Sequence, residues 1–521
     1  MRESPDHKLL FIYYGIDDIE VWDINRKKRT ALIDVHDIEL RDIFISPNNK
    51  WVVIEGLQKE MHLYDYTEQR FKGVFYFFND TRKQLAFLQP EGYYKISKEM
   101  ASTVRFAVDN VLYDFDQMDL RFNRPDKIIA ALGNDPKLVA DFNAAYKKRI
   151  LNMGADTTQF SKGFEIPNAE YLGKDNLKRQ LVKNLLSLQS HFFDRAGGNY
   201  LQRLFITVNG NPVFGAGGKD IEASRSNDTT ITTAIKLAVG NNVIKISCLN
   251  NRGFESYRST LNVPYLPETH ITPHTWLIGI GVSNYLDSGL NLKFSVKGVR
   301  ELDGLLGSID KKNYTSILLL DSAATKKNIK AIKETLVNRA GPDDKIILVF
   351  NGHGILEKKT RGDFYFCTYD MDFSNPGKKG ISYNEIVSLL DSVPAQNKLI
   401  LLNACHSGTL DVDSTGEESY EFMQENFTNT TRGDGATVIA AAEGNKWSFE
   451  PEELGNTVFM HYLLKKIMDV KSGNTVPKMG LSVSELAEYL NEEIQRYTNG
   501  GQKPIARVVN YDNDWEIVSN R

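Results

Sequence analysis

Residues 346–354 are Ile346-Ile-Leu-Val-Phe350-Asn-Gly-His353-Gly354, and residues 399–408 are Leu399-Ile-Leu-Leu402-Asn-Ala-Cys405-His-Ser-Gly408. Each stretch begins with a short, continuous apolar run, which is typical of a strand that is buried on both faces. Each run leads directly into small and polar residues, with a histidine in the first stretch and a cysteine in the second. We therefore predict two buried strands that end in turns carrying reactive side chains.

The sequence around these two stretches alternates between apolar runs and helical periods. Further buried strands are predicted at Trp276–Ile280, Ile317–Leu320 and Thr437–Ala441. Ser382 with Glu385 and Ser482 with Glu485 have the spacing of capping boxes, which begin helices. Strands that alternate with helices predict a mostly parallel sheet with helices on both faces. Since active sites of such sheets lie at the carboxyl ends of the strands, both turns should meet at one edge.

Cysteine and histidine at neighbouring strand ends can perform nucleophilic catalysis. A thiol is a strong nucleophile only as the thiolate, and an adjacent imidazole can remove its proton and later protonate a leaving amine. We assign Cys405 as the nucleophile and His353 as the general base. The glycines beside His353 should allow a sharp turn, and the backbone amides of Gly354 and Cys405 are candidate oxyanion donors.

Other readings of these residues are weaker. Taken alone, His353 would be a loop histidine and Cys405 a small core residue, and His406 is expected to have a structural role. Gly279-Ile280-Gly281 suggests a dinucleotide-binding turn, but the third glycine position is Asn284 and the acidic candidate, Asp321, lies too far along the chain. A Cys-dependent α/β-hydrolase would need a glycine-flanked elbow and a histidine after the nucleophile.

The order and spacing of these motifs resemble the caspase family. A strand ending in His-Gly is followed, 52 positions after the histidine, by a strand ending in Ala-Cys-His-Ser-Gly. This form resembles metacaspases and bacterial caspase-like peptidases more than animal caspases. Ile278–Tyr285 and Gly435–Ile439 are similar to other strands of that family, so the resemblance covers Thr275 to the carboxyl terminus. It implies a cysteine endopeptidase with protein or peptide substrates, acting in proteolytic signalling or cell death.

Substrate preference is left open by the sequence. Metacaspase-like enzymes place an Asp two residues before the nucleophile to bind Arg or Lys, whereas this position is Asn403 here. Acidic residues in loops after sheet strands could supply the missing charge, and these are Asp370, Asp372, Glu443 and Glu450. Lys293, near the place of a pocket arginine in animal caspases, would favour cleavage after Asp instead. We favour Arg or Lys.

A polar and acidic stretch, Thr409–Gly433, separates the nucleophile from the next strand. Its length and composition predict a mobile loop. In the resembling enzymes the corresponding linker can be cleaved during activation, and Arg432 is the candidate cleavage point. The chemistry requires no metal or cofactor. Calcium activation has no supporting motif, because Asp469 and Glu485 lack the ligand spacing of an EF-hand.

The N-terminal half carries no catalytic cluster. In residues 1–90, Ser4-Pro5-Asp6-His7-Lys8 recurs 42 positions later as Ser46-Pro47-Asn48-Asn49-Lys50, which is the period of WD-type propeller blades. Residues 91–165 form a partly helical connector, with a helix from Pro136 to Asn152. Residues 166–267 predict an immunoglobulin-like sandwich with a hairpin turn at Asn209-Gly210, and residues 268–521 form the peptidase domain.

Composition limits the partners and the compartment. With 63 basic and 67 acidic residues, the chain has no positive surplus for nucleic-acid binding. Three cysteines without clustered spacing indicate a reducing compartment, and no apolar run approaches the length that spans a bilayer. We therefore expect a cytoplasmic protein without nucleic-acid or membrane partners, whose β modules could bind a regulatory protein.

Two functional hypotheses follow from the sequence. The first is a regulated endopeptidase, and the second is a catalytically silent scaffold that binds proteins through its β repeats. The presence of both His353 and Cys405 favours the first, because a scaffold would be free to lose either residue.

Overall fold

The computed structural model describes residues 1–14, 18–77, 85–96, 105–108, 110–133, 136–153, 158, 160, 165–173, 183–357, 363–406, 435–441, 449–473, 480–507 and 514–518. The chain divides into two compact units. The first unit comprises Met1–Leu151 with Asp156–Phe160, and the second comprises Asn152–Ala155 with Ser161–Arg521.

The first unit is built mainly from two antiparallel sheets. Its strands are β1 (Arg2–Glu3), β2 (Leu9–Tyr13), β3 (Asp18–Asp23), β4 (Lys28–Asp34), β5 (Leu40–Ile45), β6 (Trp51–Gly56), β7 (Met61–Asp65), β8 (Arg70–Phe77), β9 (Leu85–Leu88), β10 (Tyr94–Ile96), β11 (Arg105–Val108) and β12 (Val111–Asp114). The sheet orders are β1-β2-β3-β4 and β10-β9-β8-β7-β6-β5, with β11 and β12 as a separate hairpin. Three helices follow: α1 (Asp119–Phe122), α2 (Pro125–Ala131) and α3 (Pro136–Met153).

The internal repeat produces two equivalent turns in these sheets. The hydroxyl of Ser4 donates to Asp6 at 2.8 Å, and that of Ser46 donates to Asn48 at 2.7 Å. Each serine oxygen also accepts a backbone N–H five residues later, at 2.9 Å in both turns. The described strands form two open sheets, so a propeller of WD-type blades stays a prediction.

The second unit begins with two antiparallel sheets that enclose one core. Their strands are β13 (Asn168–Tyr171), β14 (Leu185–Phe193), β15 (Leu201–Val208), β16 (Asn211–Pro212), β17 (Lys219–Asp220), β18 (Asp228–Lys236), β19 (Gly240–Asn250) and β20 (Ser259–Tyr265). One sheet has the order β13-β14-β18; the other has the order β16-β15-β19-β20, with β17 on β15. The Asn209-Gly210 pair joins β15 to β16 with φ angles of 50° and 80°, as a tight hairpin turn requires. The immunoglobulin-like assignment stays a prediction.

The rest of the second unit contains the expected mostly parallel sheet. Its strands are β21 (Thr275–Gly281), β22 (Tyr314–Leu320), β23 (Lys345–Glu357), β24 (Asp363–Phe366), β25 (Ile381–Ser382), β26 (Asn397–His406), β27 (Ala436–Ala440) and β29 (Ile505–Arg507), while β28 (Leu481–Ser482) and β30 (Glu516–Val518) pair separately. The order is β22-β21-β23-β26-β27-β29. The first five strands are parallel, whereas β29 and β24 pair antiparallel with β27 and β23.

Helices cover both faces of this sheet. They are α4 (Ser295–Gly307), α5 (Lys326–Arg339), α6 (Pro376–Lys379), α7 (Tyr383–Ser388), α8 (Val458–Lys471) and α9 (Val483–Tyr497). Leu348 and Phe350 of β23 share a core with α5 and α7, while Ile347 and Val349 share the opposite core with α4, α8 and α9. Because alternate residues of a strand face opposite sides, burial of both faces explains the unbroken apolar run. Among the described helices, none has the length and apolar character that a membrane crossing requires.

Both predicted capping boxes are confirmed. Ser382 and Glu385 exchange reciprocal hydrogen bonds at the start of α7, and Ser482 and Glu485 do so at the start of α9. The turns predicted after Phe350 and Leu402 are wrong, because β23 and β26 continue as strands through His353 and Cys405. Residues 351–354 stay extended because β23 keeps β26 beside it and gains β24 as a second partner.

The sandwich packs against the start of the parallel sheet. The side-chain amide of Asn209 donates to Gln396 at 2.6 Å, just before β26 begins. The carboxylate of Asp391 accepts the backbone N–H of Ala216 at 3.0 Å, and that of Asp343 accepts the backbone N–H of Val239 at 2.8 Å. These contacts involve residues that precede β23 and β26, at the opposite end of both strands from His353 and Cys405.

Candidate active site

His353 and Cys405 lie on the two neighbouring central strands of the parallel sheet. Their Cα atoms are partners in the parallel register between β23 and β26, with Gly354 beside His406 at the next position. The side chains of Cys405 and His406 lie outside the described residues. The expected meeting of the two motifs at one edge of the sheet is therefore seen in the backbone.

The imidazole of His353 is held at one nitrogen. Its Nε2 lies 2.9 Å from the backbone carbonyl oxygen of Leu290. A carbonyl can only accept, so Nε2 carries the hydrogen and the lone pair is at Nδ1. Nδ1 is buried and has no hydrogen-bond partner among the described residues. Burial lowers the pKa of His353 below its ordinary value, more than the Leu290 carbonyl raises it.

The glycines around His353 are required by close neighbours. A Cβ atom at Gly352 would lie 2.9 Å from the hydroxyl of Tyr285, and one at Gly354 would lie 2.2 Å from the ring of Phe364. Gly354 is paired with Phe366 on one side and His406 on the other. Its amide as an oxyanion donor, together with that of Cys405, stays a prediction.

Asn403 is buried beneath this edge of the sheet, with 2% of its surface exposed. Its side-chain amide donates to Asn351 at 2.8 Å and to Thr457 at 2.7 Å. Asn351 in turn donates to the backbone carbonyl of Ser295 at 3.0 Å. Asn403 therefore links β26 to β23 and to the start of α8, and its predicted contact with substrate stays untested.

Two of the acidic candidates are engaged in local structure. The carboxylate of Asp370 pairs with the Lys379 ammonium at 2.5 Å. Asp372 accepts the hydroxyl of Ser374 at 2.6 Å and the backbone N–H groups of Ser374 and Asn375. These hydrogen bonds, the Ser374 hydroxyl first, lower the pKa of Asp372.

Glu450, the candidate that favours a basic substrate residue, contacts the backbone of Lys293, the candidate that favours an acidic one. The carboxylate of Glu450 is 3.4 Å from the backbone nitrogen of Lys293, and burial raises its pKa. The Lys293 ammonium forms an ion pair with Glu452. Glu443, Arg432 and the stretch Thr409–Gly433 lie outside the described residues.

Sequence reasoning missed the segment that surrounds His353. This segment, residues 282–292, follows β21 and supplies both Leu290 and Tyr285. Asp321, the acidic candidate of the dinucleotide-binding turn, accepts the backbone N–H groups of Ser283 and Asn284 at 2.8 Å each. These contacts join residues that are far apart in the sequence, so no local sequence pattern predicts them.

Comparisons with known proteins find similar sequences for part of the chain. Residues 276–511 match the family model of the caspase domain. The chain is 30% identical over 141 residues to metacaspase-1 of Yarrowia lipolytica, covering 24% of this chain and 30% of that protein. It is 26% identical over 144 residues to metacaspase-1 of Meyerozyma guilliermondii, covering 26% of this chain and 34% of that protein. The matched region thus spans about a third of the length of these curated relatives.

A solved structure of a protein from Geobacter sulfurreducens also matches, with 18% identity and a TM-score of 0.32, covering 45% of this chain and 93% of that chain. The match to the family model includes both β23 and β26. Residues 276–511 of this chain are therefore similar in sequence to the caspase domain family.

Proposed function

We propose that this chain is a cysteine endopeptidase in which Cys405 is the nucleophile and His353 the general base. The observation that carries the proposal is the register that pairs these two residues on neighbouring parallel strands. Such strands lie about 4.8 Å apart, and in-register positions lie on the same side of a sheet. This spacing suits a thiol and an imidazole that exchange a proton.

The surroundings of His353 support its role as a base. Since Nε2 donates to the Leu290 carbonyl, the proton from the thiol would be received at Nδ1. Burial lowers the pKa of His353, so the imidazole is neutral at neutral pH and can accept that proton.

The proposed reaction has two stages. His353 Nδ1 takes the proton of the Cys405 thiol, and the thiolate adds to the carbon of the scissile carbonyl. The imidazolium then gives this proton to the leaving nitrogen as the C–N bond breaks, which leaves an acyl thioester on Cys405. The same imidazole then takes a proton from a water molecule whose oxygen adds to the thioester carbon; the C–S bond breaks, and the imidazolium returns the proton to the Cys405 sulfur. The backbone amides of Gly354 and Cys405 are the proposed donors to the oxyanion of each tetrahedral intermediate.

We propose cleavage after Arg or Lys. Among the acidic candidates that the structure describes, we propose Glu450 as the residue that binds the basic side chain of the substrate. Glu450 contacts the backbone of Lys293, three residues after the Leu290 carbonyl that holds His353. The opposing candidate, the Lys293 ammonium, is paired with Glu452, which weakens its attraction for an acidic substrate. Asp370 and Asp372 are engaged with Lys379 and Ser374.

A panel of fluorogenic peptides that differ only in the residue before the scissile bond tests the function. The wild type and Cys405→Ala are compared on each peptide. We expect turnover after Arg or Lys that Cys405→Ala abolishes. Turnover after Asp alone would overturn the proposed preference, and equal turnover by both proteins would overturn the assignment of the nucleophile.

Glu450→Gln tests the specificity residue within the same panel. Removing a carboxylate that pairs with a substrate cation should lower kcat/KM for the Arg peptide by about 10- to 100-fold. Glu453→Gln is the matched control, because Glu453 is an exposed carboxylate of the same segment whose partner is the Tyr497 hydroxyl, 2.9 Å away. An equal effect of the two substitutions would exclude Glu450 as the specific partner.

The physiological role that the resemblance implies is regulated proteolytic signalling or cell death. We propose protein substrates, and a regulatory partner for the N-terminal β modules. Self-cleavage at Arg432 would activate the enzyme, and intact-mass measurement of active protein, with Arg432→Gln as the control, tests this step.

A further inference from the structure

Tyr285 contacts His353 in two ways that the proposed reaction does not use. Its hydroxyl accepts the backbone N–H of His353 at 2.8 Å. Its ring centroid lies 5.2 Å from that of the imidazole, with 38° between the two planes. Tyr285 is 5% exposed, so both contacts are shielded from water. The phenol therefore touches both the backbone and the ring of the candidate base.

The hydroxyl of Tyr285 fills a gap in the sheet. The pairing of β21 with β23 ends at Asn351, and the pairing of β24 with β23 begins at Gly354. His353 lies between these two ladders: its backbone carbonyl accepts the N–H of Cys367 at 2.9 Å, whereas its own N–H donates to the Tyr285 hydroxyl. Because a buried N–H without an acceptor is costly, a side-chain hydroxyl here fixes the backbone at this residue.

Gly352 makes this contact sterically possible. A Cβ atom at Gly352 would lie 2.9 Å from the Tyr285 hydroxyl, closer than Cβ atoms approach other heavy atoms. The residue before His353 is therefore small because the phenol must reach the adjacent N–H.

The segment that carries Tyr285 is itself anchored. Asp321 accepts the backbone N–H groups of Ser283 and Asn284 at 2.8 Å each, and the Asn284 side-chain amide at 3.1 Å. Asp321 has a φ of 48°, a left-handed conformation that most side chains disfavour. The backbone N–H of Tyr285 donates to Asn291 at 2.8 Å, which closes the segment on itself.

We propose that Tyr285 is a positioning residue for His353, and that Asp321 holds Tyr285 in place. The hydroxyl fixes the His353 backbone while the Leu290 carbonyl fixes Nε2, and together they hold Nδ1 in the orientation in which it receives the thiol proton. This inference rests on the proposed peptidase function, since it gives Tyr285 a role only through His353.

Tyr285→Phe tests the proposal, because it removes the acceptor and keeps the ring. We expect kcat on the preferred peptide to fall about tenfold with KM changed less than twofold, as a loss of orientation in the chemical step predicts. Tyr314→Phe is the matched control, since it removes a hydroxyl that donates to Asp303 at 2.7 Å in the same domain. This control should retain wild-type kcat.

The pH dependence of alkylation by iodoacetamide gives a readout that loss of stability would not move. Mass spectrometry of the Cys405 peptide reports the thiolate, and Cys248 and Cys367 serve as buried references. A displaced imidazole should shift the Cys405 profile of Tyr285→Phe to higher pH by about half a unit or more. Wild-type kcat and an unshifted alkylation profile for Tyr285→Phe would overturn the proposal.

Two substitutions at Asp321 separate anchoring from backbone strain. Asp321→Asn keeps an acceptor oxygen and tolerates the left-handed conformation, so activity should stay within about threefold of wild type. Asp321→Gly relieves the conformation but removes the acceptor, and it should behave like Tyr285→Phe. Equal activity of the two variants would exclude Asp321 as the anchor.

The proposed function and this inference fail in different ways. Wild-type turnover that survives in Cys405→Ala contradicts the function. Turnover that Cys405→Ala abolishes but Tyr285→Phe leaves unchanged contradicts only the positioning role. If the wild type shows no turnover, the pH profiles of Cys405 alkylation in the wild type and in Tyr285→Phe still test whether Tyr285 positions His353.

Discussion

The imidazole of His353 donates through Nε2 to the carbonyl oxygen of Leu290 at 2.9 Å, although 63 positions separate the two residues. This bond fixes the tautomer and leaves Nδ1 as the basic nitrogen. Burial in the same place lowers the pKa of His353. The hydrogen bond to Leu290 thus determines that Nδ1 accepts the proton, and burial determines the pH range over which it can do so.

The first prediction concerns the acidic limb of activity. Since the pKa of His353 is lowered, the neutral base persists below the ordinary histidine value of about 6.5. We expect kcat/KM on an Arg peptide to fall only below about pH 6.5, with Arg charged throughout. A limb centred above pH 7 would contradict the neutral, buried base.

The second prediction concerns the buried amide of Asn403. Asn403→Asp replaces a donor to Asn351 and Thr457 with an acceptor, and at neutral pH it buries a charge. We expect the free energy of unfolding to fall by about 3 kcal/mol at pH 8. The buried carboxyl should have a raised pKa, so the loss should be smaller at pH 5, where a protonated carboxyl can again donate.

Denaturant unfolding of wild type and Asn403→Asp at both pH values checks this prediction, with Asn403→Ala as a control that carries no charge. An equal loss at pH 5 and pH 8 would show that charge burial is not the cause.

The third prediction concerns His191 on the sandwich. His191 lies between Glu170 at 2.9 Å and Asp228 at 3.0 Å, on the two neighbouring strands. The hydrogen bond to Glu170, followed by that to Asp228, raises the pKa of His191. A raised pKa stabilises the fold fully below the unfolded value of about 6.5, and this contribution is lost as pH rises through the folded value.

The stability difference between wild type and His191→Gln should therefore shrink as pH rises from 5.5 to 8.5. Thermal unfolding of both proteins across this range measures it. A difference that is constant or grows with pH would rule out the ion pairs as its source.

The fourth prediction concerns the contact between the sandwich and the parallel sheet. Asp391→Ala removes the acceptor of the Ala216 N–H, so we expect a loss of about 2 kcal/mol in the free energy of unfolding. Asp391→Asn keeps an acceptor oxygen, and burial, which raises the pKa of Asp391, disfavours the charge that this variant removes. This variant should lose less than half as much, and equal losses would contradict the importance of the hydrogen bond.

The parallel sheet was predictable because its signals are local. Ile346–Phe350 and Leu399–Leu402 are buried strands in the structure, and Ser482 with Glu485 begins a helix, as their spacing predicts. The apolar runs persist because both faces of the sheet are covered, and each capping box satisfies backbone groups only three residues apart.

The surroundings of His353 were not predictable, because the contacts that form them are not local in the sequence. Tyr285 and Leu290 reach His353 from 68 and 63 positions away, through a hydroxyl and a backbone carbonyl. Gly352 suggested a turn because glycine permits one, but the structure uses it for the close approach of Tyr285. Residue type alone does not distinguish these two uses of glycine.

Covalent trapping by a peptide chloromethyl ketone that ends in Arg, measured by intact mass and peptide mapping, tests the catalytic pair. We expect one adduct, at Cys405, that is absent in Cys405→Ala and forms at least about 100-fold more slowly in His353→Ala. An adduct at another residue, or an equal rate in His353→Ala, would contradict the assignment of Cys405 and His353 as nucleophile and base.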